Sequence, residues 1–255
     1  MHIGLPHDAS LDGFRIDRLI ALGAAIQIPL LIILALWLLA SVKLWGPRHA
    51  AVFDRGSVRG LRPRLAISLS IVALGVLVAQ DAISWAQSNR DLDGHFWNFA
   101  AAEADPRTIR IEVNAHQWAW AARYPGPDGE FNSKDDALTL DDLRIPVGLP
   151  ILIELTSTDV IHDFYLPNFR LKQDVIPGRV TRITFTATET GAFEIACSQY
   201  CGVNHYKMRG LLTVLPAEDY QRWLQLASAN SQALDDPADR AAHWGWDWQA
   251  ETPRP

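Results

Sequence analysis

The chain of 255 residues has only two cysteines and two methionines. Two cysteines close at most one disulfide, so a cystine framework cannot supply its stability. No Cys-x-x-Cys-His occurs, and no attached haem c module is expected within these residues. Positive charge is not in excess either. The formal net charge is −6, and from residue 91 onward acids outnumber bases by about ten. This excludes nucleic-acid binding that relies on bulk positive charge. No internal repeat is visible. With 49% apolar and 20% charged residues the chain is neither disordered nor collagen-like. What is present is unevenly spread: two long apolar runs near the start, then a polar remainder carrying most of the 16 glycines, 15 prolines and ten tryptophans.

Residues 19–42 carry no formal charge, about 24 residues and enough to span a hydrocarbon core. Lys43, Leu44 and Trp45 follow rather than a small-residue cleavage pattern, so the run is not read as a signal peptide. The second run, residues 65–89, contains the single charge of Asp81. Transmembrane helices are expected at about 19–45 and 64–88, within a hairpin spanning residues 1–90. Gln27 and Pro29 read as a packing contact and a mild kink, and Trp37, Trp45 and Trp85 as interfacial anchors. Between the runs lie Lys43, Arg48, Arg55, Arg59, Arg62 and Arg64 against Asp54. Basic short loops stay in the cytoplasm, so both termini and the following domain are expected on the outer, periplasmic side of the plasma membrane.

After a polar linker at residues 91–106, apolar residues alternate with polar ones: Ile109, Ile111, Val113 and Ala115; Ile151, Ile153 and Leu155; Ile183, Phe185 and Ala187; Phe193, Ile195 and Cys197; Leu212 and Val214. Short alternating runs between turn residues predict an all-β Greek-key sandwich at residues 107–216. Residues 216–230 read as a helix with Tyr220, Trp223, Leu224 and Leu226 facing inward. The tail, residues 241–255, carries Trp244, Trp246 and Trp248, which are expected to pack on the domain, a partner or the membrane surface.

The chemistry concentrates in one segment. Cys197, Cys201, His205 and Met208 follow in the spacing C-x3-C-x3-H-x2-M, directly after an alternating run. Thiolate, imidazole and thioether together select a soft, redox-active metal, with copper the natural candidate. Two cysteines four apart in an exported domain could instead form a disulfide, but the nearby histidine and methionine argue against it. Two sulfurs folded around metal can bridge two copper ions, and His162, after the run at 151–155, is the best source of a second imidazole.

These features resemble subunit II of the haem–copper cytochrome c oxidases. The resemblance is carried by the two-helix hairpin, an aromatic strand from Ala115 through His116, Gln117 and Trp118 to Trp120, the segment 171–179, and the Cys/His/Met loop. It implies a cupredoxin-like domain with a binuclear copper centre, CuA: Cys197 and Cys201 bridge, His162 and His205 are terminal ligands, and Met208 and the Gln199 carbonyl are weak axial ligands. The family usually has a glutamate at position 199 that also reaches a magnesium or manganese ion beside subunit I. An amide is a poorer ligand for a hard dication, which weakens the magnesium expectation. Trp118 matches the family's electron-entry aromatic. Asp159 matches a docking acid, and Asp163, Asp128, Glu130, Asp135 and Asp136, with Asp141 and Asp142, are weaker candidates for a patch that steers a basic cytochrome. The family's main type has a glutamate before the second helix; residues 58–64 here contain no acid, so any proton path starts elsewhere or pumping is arranged differently.

The implied function is that of a terminal-oxidase subunit: it takes electrons from a c-type cytochrome and passes them to haem in subunit I for reduction of oxygen to water. Subunits I and III and lipid are the implied partners, with no nucleic acid. The alternatives are the copper subunit of a nitric oxide reductase and a stand-alone membrane-anchored copper carrier.

Overall fold

The computed structural model describes residues 4–44, 60–126, 128–131, 133 and 135–234. Two compact units are distinguished, one built from residues 15–92 and the other from residues 4–14 and 93 onward. Trp45, Arg48, Asp54, Arg55, Arg59 and the three tail tryptophans, on which sequence expectations were placed, lie outside the described residues.

The first unit holds helices α1 (Gly13–Leu44) and α2 (Leu61–Asp91), each long and apolar enough to cross a membrane. The α1 helix begins ahead of the uncharged run because polar groups turn the chain before it. Ser10 Oγ accepts from the Gly13 amide at 2.8 Å, and Asp8 Oδ1 accepts from the Ser10 amide at 3.0 Å. The charge of Arg15 is carried into the helix by an ion pair with Asp91 at 3.1 Å. Farther along, Gly23 leaves room for polar side chains, with amide nitrogens of Gln80 and Gln27 lying 3.7 and 3.9 Å from where its Cβ would sit. Large apolar side chains of both helices, Leu31, Ile33, Leu69 and Ile71 among them, are exposed in the isolated chain, as surfaces awaiting lipid or protein would be.

The expected linker is largely helical. One π-helical turn (Leu92–Phe96) continues from α2, and α3 (Phe99–Ala104) follows, with Asn98 Oδ1 accepting from the Ala101 amide at 3.3 Å. A polar composition concealed a good cap followed by an alanine-rich turn.

Ten strands then form a two-sheet sandwich: β1 (Ile109–His116), β2 (Ala119–Tyr124), β3 (Ala137–Leu140), β4 (Asp142–Pro146), β5 (Pro150–Ser157), β6 (His162–Leu166), β7 (Leu171–Val175), β8 (Thr181–Thr186), β9 (Gly191–Cys197) and β10 (Arg209–Leu215). One sheet has the order β3-β2-β1-β5-β8 and the other β4-β10-β9-β6-β7. β1 runs parallel to β5 with Ile111 opposite Ile153 and Val113 opposite Leu155, and β8 continues the row with Ile183 opposite Ile153. In the second sheet Leu212 lies between Leu143 and Phe193, and Phe164 opposes Cys197. These rows close the core. Residues 9–11 extend the β8 side, with the Thr188 amide donating to the Ala9 carbonyl at 2.9 Å and the Leu11 amide to the Thr186 carbonyl at 3.0 Å.

Two local expectations change. The aromatic segment is no single strand: the chain turns at Gln117 and Trp118, leaving His116 at the end of β1 and Trp120 inside β2. In α4 (Ala217–Leu234), Tyr220 is buried and Trp223, Leu224 and Ala227 pack on the core, but Leu226 is 67% exposed. Steps of three and four residues from 220 reach 223, 224 and 227, and 226 falls on the outer side.

On the outward side of β1 and β2 a charged pair is buried. Glu112 is fully covered and accepts from Arg123 Nε at 2.8 Å, and Arg123 also lies 3.7 Å from Asp136. Burial raises the Glu112 carboxyl to about 7 against the opposing pull of Arg123. Removing the arginine strands the carboxylate. Arg123→Met is expected to cost roughly 3–5 kcal/mol at pH 8. The cost should shrink toward pH 5, where a carboxyl with a raised folded-state pKa takes its proton and folding no longer buries a charge. Denaturant midpoints at the two pH values check both the size and the sign.

Candidate metal centre

The site lies at one end of the second sheet, where β6 starts, β9 finishes and β10 begins. The pairing of Phe164 with Cys197 sets His162, the first residue of β6, beside the last residue of β9. The loop from 198 to 207 returns on itself, since the Cys197 amide donates to the Met208 carbonyl at 3.2 Å. A short 3-10 turn (His205–Lys207) brings the loop histidine inward, with the His205 amide bonded to the Gly202 carbonyl at 3.1 Å.

All six expected donors converge. The Cys197 and Cys201 sulfurs are 3.7 Å apart and unbonded, well beyond the ~2.05 Å of a disulfide. His162 Nδ1 lies 4.0 Å from Cys197 Sγ and 3.1 Å from Met208 Sδ; His205 Nδ1 lies 3.5 Å from Cys201 Sγ. Met208 Sδ is 3.7 Å from Cys201 Sγ, and the Gln199 carbonyl is 3.2 Å from Cys197 Sγ. Ligand atoms of His162, Cys197 and Cys201 all fall within 4.8 Å of one another. His162, Cys201 and Met208 are almost wholly buried. The His162 ring is packed by Trp120, whose centroid is 6.1 Å away and which itself meets Phe164 edge-on at 5.1 Å.

Without metal, the two thiols hold one proton between them. Burial opposes ionisation of Cys197, but its contact with His162 and the adjoining backbone amides outweigh that and bring it down to about 6. Burial, then the neighbouring Cys197, push Cys201 up to about 12. Burial opposes charge on His162, but Cys197 and Asp159 together favour it; burial also opposes ionisation of Asp159, yet the imidazole and the Val160 and Gln117 amides together hold its carboxyl below the ordinary range.

Copper fits this donor set. Cysteine and histidine alone would also suit zinc, but zinc does not recruit a thioether, and here a buried methionine sulfur sits among the thiols and imidazoles. The carbonyl of Gln199 faces the site, whereas its side chain is exposed and makes no contact with the sulfurs.

Trp118 is half-buried beside the loop and donates from Nε1 to the Cys201 carbonyl at 3.3 Å. Its neighbour Gln117, missed by sequence reasoning, donates from Nε2 to the same carbonyl at 2.8 Å. Gly202 admits both. Its φ is +121°, and a Cβ there would come 2.9 Å from Gln117 Nε2 and 3.3 Å from Trp118 Cζ2. A glycine directly after the second cysteine was the available sequence signal for this close approach.

The acidic patch is smaller than the sequence suggested. Asp136 and Asp163 are buried and cannot belong to it. Asp136 faces Arg123, while Asp163 accepts from Ser198 Oγ at 2.8 Å and its carbonyl accepts from the Ser198 amide, anchoring the start of the metal loop. Asp135 turns into its own loop toward Ser133, Asp141 accepts from the Trp120 amide at 2.7 Å, and Asp142 pairs with Arg144 at 2.8 Å. Asp128 and Glu130 remain exposed. Asp159, though partly exposed, accepts from the Gln117 amide and faces His162.

Comparison with known proteins gives these relationships. Residues 109–214 match the family described as cytochrome c oxidase subunit II, periplasmic domain. The alternative cytochrome c oxidase subunit 2 of Bradyrhizobium diazoefficiens is 31% identical over 176 residues, covering 60% of this chain and 59% of the relative. Cytochrome c oxidase subunit 2 of Thermostichus vulcanus is 36% identical over 133 residues, covering 52% and 38%. That of Cereibacter sphaeroides is 28% identical over 254 residues, covering 88% and 77%. The chain thus spans well under two thirds of the first two relatives. A crystal structure of the periplasmic domain of cytochrome oxidase subunit II (CoxB) from Bradyrhizobium japonicum aligns with a TM-score of 0.43 at 28% identity, covering 48% of this chain and 94% of that one.

The unequal thiols can be told apart chemically. In metal-free protein, alkylation is expected at Cys197 first, with a rate that rises through about pH 6, while Cys201 stays protonated until about 12. Peptide mapping after brief iodoacetamide treatment reads the order, and equal labelling of both would contradict the asymmetry.

Proposed function

We propose that this chain, whose residues 109–214 match the periplasmic domain of cytochrome c oxidase subunit II, is the electron-receiving subunit of a haem–copper terminal oxidase. In this reading electrons arrive from a c-type cytochrome and continue to haem in subunit I, where oxygen is reduced to water. The observation that carries it is the unbonded sulfur pair, 3.7 Å apart, with an imidazole nitrogen within 4.0 Å of each sulfur and a thioether 3.7 Å from Cys201 and 3.1 Å from His162 Nδ1. When bound as a binuclear CuA centre, copper supplies a one-electron couple shared through the two sulfurs.

The chain's own contribution is placement. Cys197, Cys201, His162 and His205 would hold the copper, with Met208 and the Gln199 carbonyl as weaker donors. The sandwich holds these groups in one geometry, so little has to move when charge changes, and it keeps water from His162, Cys201 and Met208. Trp118 would be the entry point, since its indole lies half-exposed at the surface and is bonded to the carbonyl of a bridging cysteine. Exposed Asp128 and Glu130 would contribute to steering a basic donor. The amide of Gln199 offers little to magnesium, and no role is given to that ion.

The membrane assignment follows from the two candidate spanning helices and from the basic connection between them, which would face the cytoplasm, leaving the copper domain and both termini outside. The hairpin's exposed apolar side chains would then meet lipid and subunits I and III.

Purification of the chain from membranes under mild detergent tests the reading. It is expected to bring a haem protein with it and to consume oxygen when supplied with reduced c-type cytochrome, with Trp118→Phe slowing cytochrome oxidation. Nitric oxide turnover without oxygen turnover would indicate a nitric oxide reductase subunit, and recovery of the chain free of haem protein would indicate a stand-alone carrier. Either result contradicts the proposal.

A further inference from the structure

Asp159 lies three residues before His162, in the turn between β5 and β6, and its carboxylate is already engaged. Oδ1 is 2.8 Å from His162 Nε2 and accepts from the Val160 amide at 2.6 Å. Oδ2 accepts from the Gln117 amide at 2.6 Å. Gln117 Nε2 then donates to the Cys201 carbonyl at 2.8 Å, the oxygen that Trp118 Nε1 also reaches. One carboxylate therefore joins the β1–β2 turn to an imidazole of the site, and that turn is joined in turn to a cysteine of the site.

The consequence for His162 is chemical. A carboxylate at Nε2 holds the ring proton there and leaves the Nδ1 lone pair facing the sulfurs, the arrangement a metal-binding histidine needs. The consequence for Trp118 is geometric: the turn that carries it is fixed by the same carboxylate. Three donors around its two oxygens hold the carboxylate in this orientation, although its side chain is 29% exposed.

We propose that Asp159 is a positioning residue of the metal centre, fixing the tautomer and orientation of His162 and, through Gln117, the seat of Trp118 on the Cys201 carbonyl. This rests on the copper reading above.

The test uses the full chain in its complex, comparing Asp159→Asn with the unaltered protein. Asparagine keeps the size but presents one acceptor where two are needed. The expected results are a roughly 10–100-fold loss of copper affinity against a chelator, an upward shift of the copper midpoint potential and altered copper absorption bands. A variant with wild-type affinity, potential and bands but a flattened salt dependence is a docking mutant and overturns the proposal. Asp159→Glu keeps the test open should Asp159→Asn fail to fold: its longer carboxylate should displace the His162 ring and shift the copper bands, and wild-type bands there overturn the proposal. Gln117→Met keeps the backbone amide on Asp159 and removes only the side-chain contact with Cys201. It should shift the absorption bands by loosening the Cys201 carbonyl, and unshifted bands overturn the bracket. Absence of copper from the unaltered chain would defeat the functional reading itself, a different result from an unaffected Asp159→Asn.

Discussion

The short antiparallel contact between β6 and β9, with Phe164 opposite Cys197, is the constraint on which the site depends. It places the first residue of one strand beside the last residue of the other, so that an imidazole and a thiol distant in sequence become neighbours without either strand bending. Everything else fills in around that meeting. The Cys197–Met208 backbone bond closes the loop, Trp120 seals the inner side of His162, and Ser198 is tied to buried Asp163. A displaced register would move His162 to the other face of the sheet and remove it from the sulfurs. Under the proposed copper reading this rigidity is functional, because a centre that only passes electrons gains most from ligands that do not rearrange.

The surroundings divide between holding the loop and exposing it. Cys201 is buried, yet its carbonyl points to Gln117 and Trp118 in a turn that reaches the surface, and Gly202 provides the space for that approach. Around this point Tyr200, Val203 and Tyr206 are strongly exposed, while most nearby acids are occupied internally. A partner meeting the loop would therefore find aromatic and aliphatic surface close to the centre. Close packing would then govern the final fit, with charge acting mainly during approach.

Much of this was legible in the sequence, for identifiable reasons. Alternation marked the core rows of β1, β5, β8 and β9, because their inward faces are apolar even where, as in β1 and β5, the polar outward residues are covered too, and C-x3-C-x3-H-x2-M marked the loop because soft ligands rarely gather by chance. His162 could be named since an isolated histidine followed a buried strand. The misplacements also have physical causes. Asp136 and Asp163 looked like surface acids because a loop acid with a buried partner has the same sequence signature as a solvated one. The aromatic segment looked like one strand because nothing in its composition marks the turn at 117–118. Leu226 was assigned inward by its type, although the helical period puts it outside. The second role of Asp159 was hidden because its partner Gln117 is 42 positions away.

A sulfur-bridged pair of coppers differs from a single copper, a zinc ion or a disulfide in how an unpaired electron is distributed. Electron paramagnetic resonance of the purified, oxidised, copper-loaded chain reads that distribution directly. A seven-line copper hyperfine pattern is expected, from one electron shared equally by two nuclei held between Cys197 and Cys201. A four-line pattern, or a silent sample in which those sulfurs are bonded to each other, would contradict the binuclear centre.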